Sequence, residues 1–146
     1  MGDIESALRE FRAAAALDPD DKDALVNIGN ILMQLHEIEA AVVEYENAVA
    51  LDPTSVMAYY NLASAAHALR RHDVARRHFA KTIDLDPDYA DAHFNLGIVH
   101  QESGDLDAAL ASYDEAARLN PDLVEAARAA AAIRAGSGGG GGPTDS

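Results

Sequence analysis

The chain has 146 residues, of which 49% are apolar and only 5% aromatic, so it can form a domain whose core is built from small aliphatic side chains. Its formal charge of −14 disfavours nucleic acid and anionic membranes as partners, because their phosphates would be repelled. The absence of cysteine excludes disulfides, thiol catalysis and cysteine-bound zinc, and no stretch approaches the length of an apolar membrane span.

Four prolines divide the chain into equal rows. They stand at positions 19, 53, 87 and 121, so each lies 34 residues from the next. Within each row apolar residues recur every three or four positions, which predicts amphipathic helices joined by turns. In chain order the predicted helices are Glu5–Leu17, Lys22–Leu35, Glu39–Leu51, Val56–Leu69, Asp73–Leu85, Ala90–Ser103, Asp107–Leu119 and Val124–Ala135.

Similar residues occupy the same column when the rows are aligned. The first helix of each full row carries a small residue, and the second helix carries an alanine followed four residues later by an aromatic. These columns are Gly29, Ala63 and Gly97; Ala7, Ala41, Ala75 and Ala109; and Phe11, Tyr45, Phe79 and Tyr113.

Together with the closing prolines, these columns resemble the tetratricopeptide repeat over residues 2–135. The resemblance implies an all-α solenoid of antiparallel helix pairs, which forms a right-handed superhelix with a concave and a convex face.

The same frame predicts how the chain is organised. We expect a half repeat at 1–21, full repeats at 22–55, 56–89 and 90–123, a capping helix at 124–135 and a flexible Gly-rich tail at 136–146. The turn column holds Gly104 in the last full row but His36 and Arg70 in the two earlier ones. Those two turns should still form, at some cost, because they lack glycine.

The first predicted helix is the second helix of a repeat, because Gly2 falls in the turn column. Ile4, Leu8, Phe11 and Ala15 would then lie on one exposed apolar stripe. Either the protein has been cut from a longer array, or this stripe meets another molecule, which would allow self-association through the first helix.

No arrangement of residues points to catalysis, a metal or a cofactor. His93 and His100 share a face of one helix, but seven residues at 1.5 Å rise separate them by about 10 Å, too far to ligate one zinc ion. The sequence has no H-E-x-x-H motif, no phosphate-binding loop and no serine with a plausible histidine and aspartate partner. We therefore predict a protein that is not an enzyme.

Asparagine recurs every 34 residues, as Asn27, Asn61 and Asn95, in the first helix of each full row. Asparagine is an indifferent helix former, so its repetition needs a reason. In tetratricopeptide arrays this column lines the concave groove, and in the similar repeats of O-linked N-acetylglucosamine transferase it holds the backbone of an extended peptide. The alternative interpretation is that these side chains only bond neighbouring helices or a turn carbonyl.

Neighbouring groove columns complete the candidate peptide site. The predicted peptide-binding residues are Asn27, Asn30, Tyr60, Asn61, His67, Phe94, Asn95 and Gln101. An acidic lip, formed by Asp23, Asp91 and Glu125, favours a basic or neutral peptide. Tyr60 and Phe94 have an alternative role in packing between repeats.

A second comparison with the family concerns the two-carboxylate clamp that holds the tails of heat-shock chaperones. Asn30 and Asn61 fit its two asparagine positions. Its three basic positions are occupied by Val26, Asp91 and Asn95, so the resemblance disfavours chaperone-tail binding.

One basic cluster offers an alternative site for phosphate or an acidic partner, although pairing with acidic neighbours is the simpler interpretation. It comprises Arg70, Arg71, Arg76, Arg77 and Lys81.

The leading prediction is a non-catalytic scaffold that binds a protein or peptide in its concave groove and does not bind nucleic acid or membrane. The alternatives are a regulatory or substrate-recruiting segment of a larger enzyme, such as a glycosyltransferase, and a self-assembling structural module. Because MGDIESALRE lacks the pattern of a signal peptide, we expect a cytoplasmic location.

Overall fold

The fold is known from a computed structural model that describes residues 2–144, with side chains described for 2–136. The described residues form eight α-helices and no strand, which confirms the predicted all-α class. The first seven helices begin and end within three residues of their predicted bounds. The helices are α1 Gly2–Leu17, α2 Lys22–Gln34, α3 Ile38–Leu51, α4 Val56–Ala68, α5 His72–Leu85, α6 Ala90–Glu102, α7 Leu106–Leu119 and α8 Val124–Thr144.

Helix α8 continues past its predicted end at Ala135 and through the glycine run to Thr144. The sequence prediction placed its end at the first glycine, because each glycine costs about 1 kcal/mol relative to alanine inside a helix. The flexibility of residues 136–146 stays a prediction, and its last two residues lie outside the described part of the chain.

The second helix of every row ends in the same way, with an Asx turn at the residue before the proline. The side-chain oxygens of Asp18, Asp52, Asp86 and Asn120 each accept a hydrogen bond from the backbone N–H two residues later, at 3.0–3.3 Å. This local bond competes with helix continuation, and the proline that follows removes a backbone donor. The 34-residue spacing of helix ends therefore has a local chemical cause.

Lys22 at the start of α2 also donates to Asp52, beyond the end of α3. This bond is the main reason that the pKa of Asp52 falls to about 2, and bonds from Thr54 lower it further.

The turn between the helices of each full row needs one residue with a left-handed backbone. Gly104 takes φ +86°, and His36 and Arg70 take φ 61° and 63° at the equivalent positions. This conformation costs an L-residue other than glycine roughly 1–2 kcal/mol. The cost predicted for the two earlier turns is therefore backbone strain, because a residue other than glycine adopts a positive φ there.

Replacing His36 or Arg70 with glycine is therefore expected to raise the free energy of unfolding by about 0.5–1 kcal/mol for each change. Relief of backbone strain exceeds the extra entropy that glycine gives to the unfolded chain. The reciprocal change, Gly104→Ala, should lower the free energy of unfolding by a similar amount. Urea unfolding of the three variants measures these shifts, and destabilisation by His36→Gly would show that its side chain has a separate role.

Contacts divide the chain into two compact units, Met1–Leu85 and Asp86–Ser146. The first unit packs α1 to α5, with Ile28, Leu32, Tyr45 and Leu62 in its core. The second unit packs α6, α7 and α8 around Tyr113 and Ile133. None of the described helices is long and apolar enough to cross a lipid bilayer.

The apolar stripe of α1 is less exposed than the sequence predicts. Leu8, Phe11 and Ala15 are half-buried, because they pack against the core of the first unit. No residue of α1 is fully buried, and Leu17 at its end is 89% exposed. One face of this helix is therefore covered and another is not.

Candidate functional site

Asn30 and Asn61 come together in the first unit, on the neighbouring helices α2 and α4. The Asn30 carbonyl oxygen accepts one hydrogen bond from Asn61 Nδ2 at 3.2 Å and another from the Tyr45 hydroxyl at 2.6 Å. Asn30 is exposed and Asn61 is half-buried. The pair is thus fixed from behind by Tyr45, while the Asn30 amide N–H groups and the Asn61 carbonyl oxygen take no part in this network.

The hydroxyl that positions Asn30 stays protonated over the whole physiological range. Burial raises the pKa of Tyr45 to about 12, and its side chain is only 1% exposed. Tyr113 repeats the arrangement in the second unit, where its hydroxyl donates to Gln101 Oε1 at 2.7 Å. Burial raises the pKa of Tyr113 as well, with a smaller contribution from Glu102.

The asparagine column behaves differently in each row. Asn27 is exposed, Asn61 bonds Asn30, and Asn95 Nδ2 donates to the backbone carbonyl of Asp91 on its own helix at 3.0 Å. The bond from Asn61 to a neighbouring helix is one that the alternative interpretation of the column expects, whereas the carbonyl that Asn95 bonds lies in its own helix and not in a turn. Asn61 still offers a carbonyl oxygen to a ligand, so binding and support are compatible at that position.

The two predicted groove aromatics each pack against the aromatic of their own row. The rings of Tyr60 and Phe79 meet edge to face with centroids 5.8 Å apart, and those of Phe94 and Tyr113 lie 5.7 Å apart. Tyr60 and Phe94 are both half-buried. Each ring therefore supports the helix pair and presents its remaining surface to solvent.

His67 and Gln101 lie in the same column, near the ends of α4 and α6. The His67 ring lies edge-on to the His72 ring, with centroids 6.1 Å apart. Gln101 is exposed and borders an open pocket of about 290 Å³ in the second unit, whose other lining residues are Leu106, Ala132, Ile133 and Gly136.

The three residues of the predicted acidic lip, Asp23, Asp91 and Glu125, are each exposed. In the basic cluster, Arg71 pairs with Glu39 at 3.2 Å and Arg76 pairs with Asp73. The Lys81 ammonium lies 5.9 Å from the centroid of the Tyr59 ring. Much of this cluster is thus engaged by its own neighbours. In the part of the chain whose side chains are described, no group of three histidine or carboxylate side chains is arranged to hold a metal ion.

Comparison with protein families supports the resemblance noted in the sequence. A family profile described as "Tetratricopeptide repeat" matches residues 60–124, and a second, described as "TPR repeat", matches residues 29–69. Together the two profiles span residues 29–124, well over half of the chain. The chain belongs to the tetratricopeptide-repeat family.

Solved structures agree with this tetratricopeptide-repeat fold. A crystal structure of MamA aligns with a TM-score of 0.88 at 28% identity, covering 94% of this chain and 80% of that one. MamA 41-end from Desulfovibrio magneticus RS-1 aligns with a TM-score of 0.76 at 24% identity, covering 84% of this chain and 69% of its own. The first tetratricopeptide domain of Spaghetti (RPAP3), bound to the HSP90 peptide SRMEEVD, aligns with a TM-score of 0.78 at 22% identity. That alignment covers 83% of this chain and 96% of the other. The comparison with curated proteins found no match.

The predicted solenoid class of paired antiparallel helices is therefore confirmed, while the handedness of the superhelix stays a prediction. Sequence reasoning missed Tyr45 and Tyr113, the two tetratricopeptide-column aromatics that position Asn30 and Gln101. The signal was present, because a tyrosine fills the aromatic column only in the two rows that carry glycine in the small-residue column.

Proposed function

We propose that this protein is a non-catalytic interaction scaffold that binds an extended peptide segment along the first helices of its repeats. The observation that carries the proposal is the pairing of Asn30 with Asn61 at 3.2 Å, backed by Tyr45. The pair offers amide donors from Asn30 and a carbonyl acceptor from Asn61. A peptide group carries one acceptor and one donor, so it complements this pair whatever its side chain is.

The remaining predicted residues extend the proposal within each unit. In the first unit, Asn27, Tyr60 and His67 would contact the peptide beside the asparagine pair. In the second unit, a separate set formed by Phe94, Asn95 and Gln101 would play the same part. The exposed acidic lip favours a basic or neutral peptide, whose binding should weaken as salt rises. A cytoplasmic location belongs to the same proposal.

The triple change Asn27→Ala, Asn61→Ala, Asn95→Ala is expected to reduce peptide binding nearly to background. Each neutral hydrogen bond contributes only about 0.5–1.5 kcal/mol net, so a single change should weaken binding to its own set by roughly 2- to 12-fold, and the triple change affects the sets of both units. Alanine is the better helix former, so helical content should not fall. Binding is measured against a library of extended peptides with basic, neutral and acidic side chains.

The matched control is Asn47→Ala, which removes an exposed asparagine from α3, a second helix, and should leave binding unchanged. The acidic peptide SRMEEVD serves as a control ligand that should bind weakly, because Asp91 occupies one of the basic positions of the clamp. Undiminished binding by a folded triple variant would show that the asparagines are structural and that recognition lies elsewhere, for example on the basic cluster.

A further inference from the structure

Two helices, α1 and α8, lack the neighbour that their equivalents have. In the rest of the chain the first and second helices of each row pack together, as α2 with α3, α4 with α5 and α6 with α7. In the 34-residue frame α1 is a second helix and α8 is a first helix. Among the described residues, α1 packs on α2 and α8 packs on α7, which both belong to an adjacent row.

The face of α1 that carries Ala7, Phe11 and Ala14 is buried in every other second helix, whereas in α1 it is covered only in part, by the packing of Phe11 against the core of the first unit. Ala7 and Phe11 are partly exposed, Ala14 is exposed and Leu17 is 89% exposed. The equivalent Leu51 is 42% exposed. At the three columns of Ala7, Phe11 and Ala14, the other second helices expose no side chain by more than 2%, as in Ala41, Tyr45, Ala48, Ala75, Phe79, Thr82, Ala109, Tyr113 and Ala116.

Helix α8 exposes the column that, in the first helices of the complete rows, faces the aromatic of the second helix. Its Ala131 stands in the small-residue column of the first helices and is exposed, whereas Gly29, Ala63 and Gly97 are buried. In the complete rows this column receives the aromatic of the second helix. A Cβ added at Gly29 would lie 2.4 Å from the Tyr45 ring, and one added at Gly97 would lie 2.7 Å from the Tyr113 ring. Ala131 is therefore at a socket position of the same kind, and it is exposed.

In the complete rows, the residue in the small-residue column varies together with the aromatic of the same row. The residues at the exposed faces of α8 and α1 follow the same pairing. Glycine stands opposite tyrosine in two rows, and the remaining row carries Ala63 and Phe79 in the same two columns, both fully buried. The exposed socket is Ala131 and the partly exposed aromatic is Phe11, so they carry the residue types of the alanine–phenylalanine row.

Four further columns agree with this match. The tyrosine hydroxyls need an amide partner, Asn30 or Gln101, but α8 carries Ala132 and Ala135 at those columns and Phe11 has no hydroxyl. In one complete row the Lys81 ammonium lies over the Tyr59 ring. The column of Lys81 is occupied in α1 by Ala13, and the column of Tyr59 is occupied in α8 by Ala127; both alanines are exposed. Pairing these helices would therefore bury neither an unpaired polar group nor a charge at these columns.

We infer that α8 of one molecule pairs with α1 of a second molecule, so that the two half rows form one complete repeat between copies. Phe11 of the second copy packs on Ala131 of the first, in the way that Phe79 and Ala63 share a row. The contact joins two different faces, α8 of one copy and α1 of the next. Copies therefore associate head to tail and form an open chain that lengthens as copies are added. This assembly replaces the capping role predicted for α8, and it does not depend on peptide binding along the first helices.

The test begins with sedimentation of the 146-residue chain from micromolar to millimolar concentration, where the average mass should rise continuously. Ala131→Glu should weaken association by about 100-fold or more, because a carboxylate would enter the socket without a partner. Ala131 is exposed and glutamate is a good helix former, so the variant should keep its circular dichroism spectrum. The matched control is Ala111→Glu, at an exposed position of α7, which should associate as the unchanged chain does.

A reciprocal variant distinguishes head-to-tail pairing from a symmetric contact. Ala14→Glu blocks the α1 face and leaves α8 free, so it should be monomeric alone, as should Ala131→Glu. An equimolar mixture of the two variants should form a dimer and grow no further, because only one compatible pair of faces remains. A chain that is monomeric at all concentrations, or an Ala131→Glu variant that associates normally, would overturn the inference.

Cysteine cross-linking gives a second measurement that does not rely on charged substitutions. The chain has no cysteine, so Ala7→Cys and Ala131→Cys introduce unique thiols. Oxidation of the mixed single variants should give the heterodimer in preference to either homodimer. Preference for the Ala7→Cys homodimer would instead indicate a symmetric contact between two copies of α1.

Discussion

Replacing Phe79 with alanine is expected to lower the free energy of unfolding by about 3–5 kcal/mol, because it removes a fully buried aromatic ring and leaves a cavity. Phe79 is 1% exposed and its ring meets the Tyr60 ring edge to face. Phe11→Ala makes the same chemical change in the same column of the repeat. It should cost less than half as much, because Phe11 is already partly exposed and the site can collapse more fully.

Urea unfolding at low protein concentration measures both variants, and the Ala131→Glu background removes any contribution from association. Hydrogen exchange should show the amides of α1 opening before those of α3 and α5, since α1 has no fully buried residue. Equal costs for Phe79→Ala and Phe11→Ala in that background would contradict the argument, because they would mean that the α1 face is covered within the single chain.

The repeat frame predicted most of the fold because its signals are local. The Asx turn at each Asp-Pro or Asn-Pro step ends a helix through a bond between residues two apart, and it recurs at Asp18, Asp52, Asp86 and Asn120. The column pattern likewise predicted a special turn at His36 and Arg70, where the positive φ is now visible.

The repeat columns predicted which residues belong to the candidate site, but not which of them form hydrogen bonds with each other. Asn30 and Asn61 occupy different columns, so the repeat period alone does not pair them. The clamp comparison placed both asparagines in one site, but the 3.2 Å bond between them depends on how α2 packs beside α4. The hydroxyl of Tyr45 was overlooked for a different reason. An aromatic in a buried column indicates packing, and only the match between glycine and tyrosine within a row suggests that the phenol oxygen reaches past the first helix to an amide.

Gly29→Ala is expected to lower the free energy of unfolding by about 1–3 kcal/mol, although alanine is the better helix former. The new Cβ would lie 2.4 Å from the Tyr45 ring, which is buried and held by its bond to Asn30, so the ring must move or the helices must separate. Gly136→Ala is the matched control, because no atom lies within 4 Å of its added Cβ. That control should be neutral or stabilising by up to about 1 kcal/mol.

A double-mutant cycle tests why glycine and tyrosine occur together. Tyr45→Phe alone should cost about 0.5–1.5 kcal/mol, because the Asn30 oxygen loses a hydrogen bond. Combined with Gly29→Ala it should cost less than the sum of the two changes, by about 0.5 kcal/mol or more, since a ring that is not held by a hydroxyl bond can shift away from the added Cβ. Urea unfolding of the four proteins gives the coupling energy. Strict additivity would mean that the hydroxyl does not hold the ring in place, and the pairing of alanine with phenylalanine at Ala131 and Phe11 would then lose its physical basis.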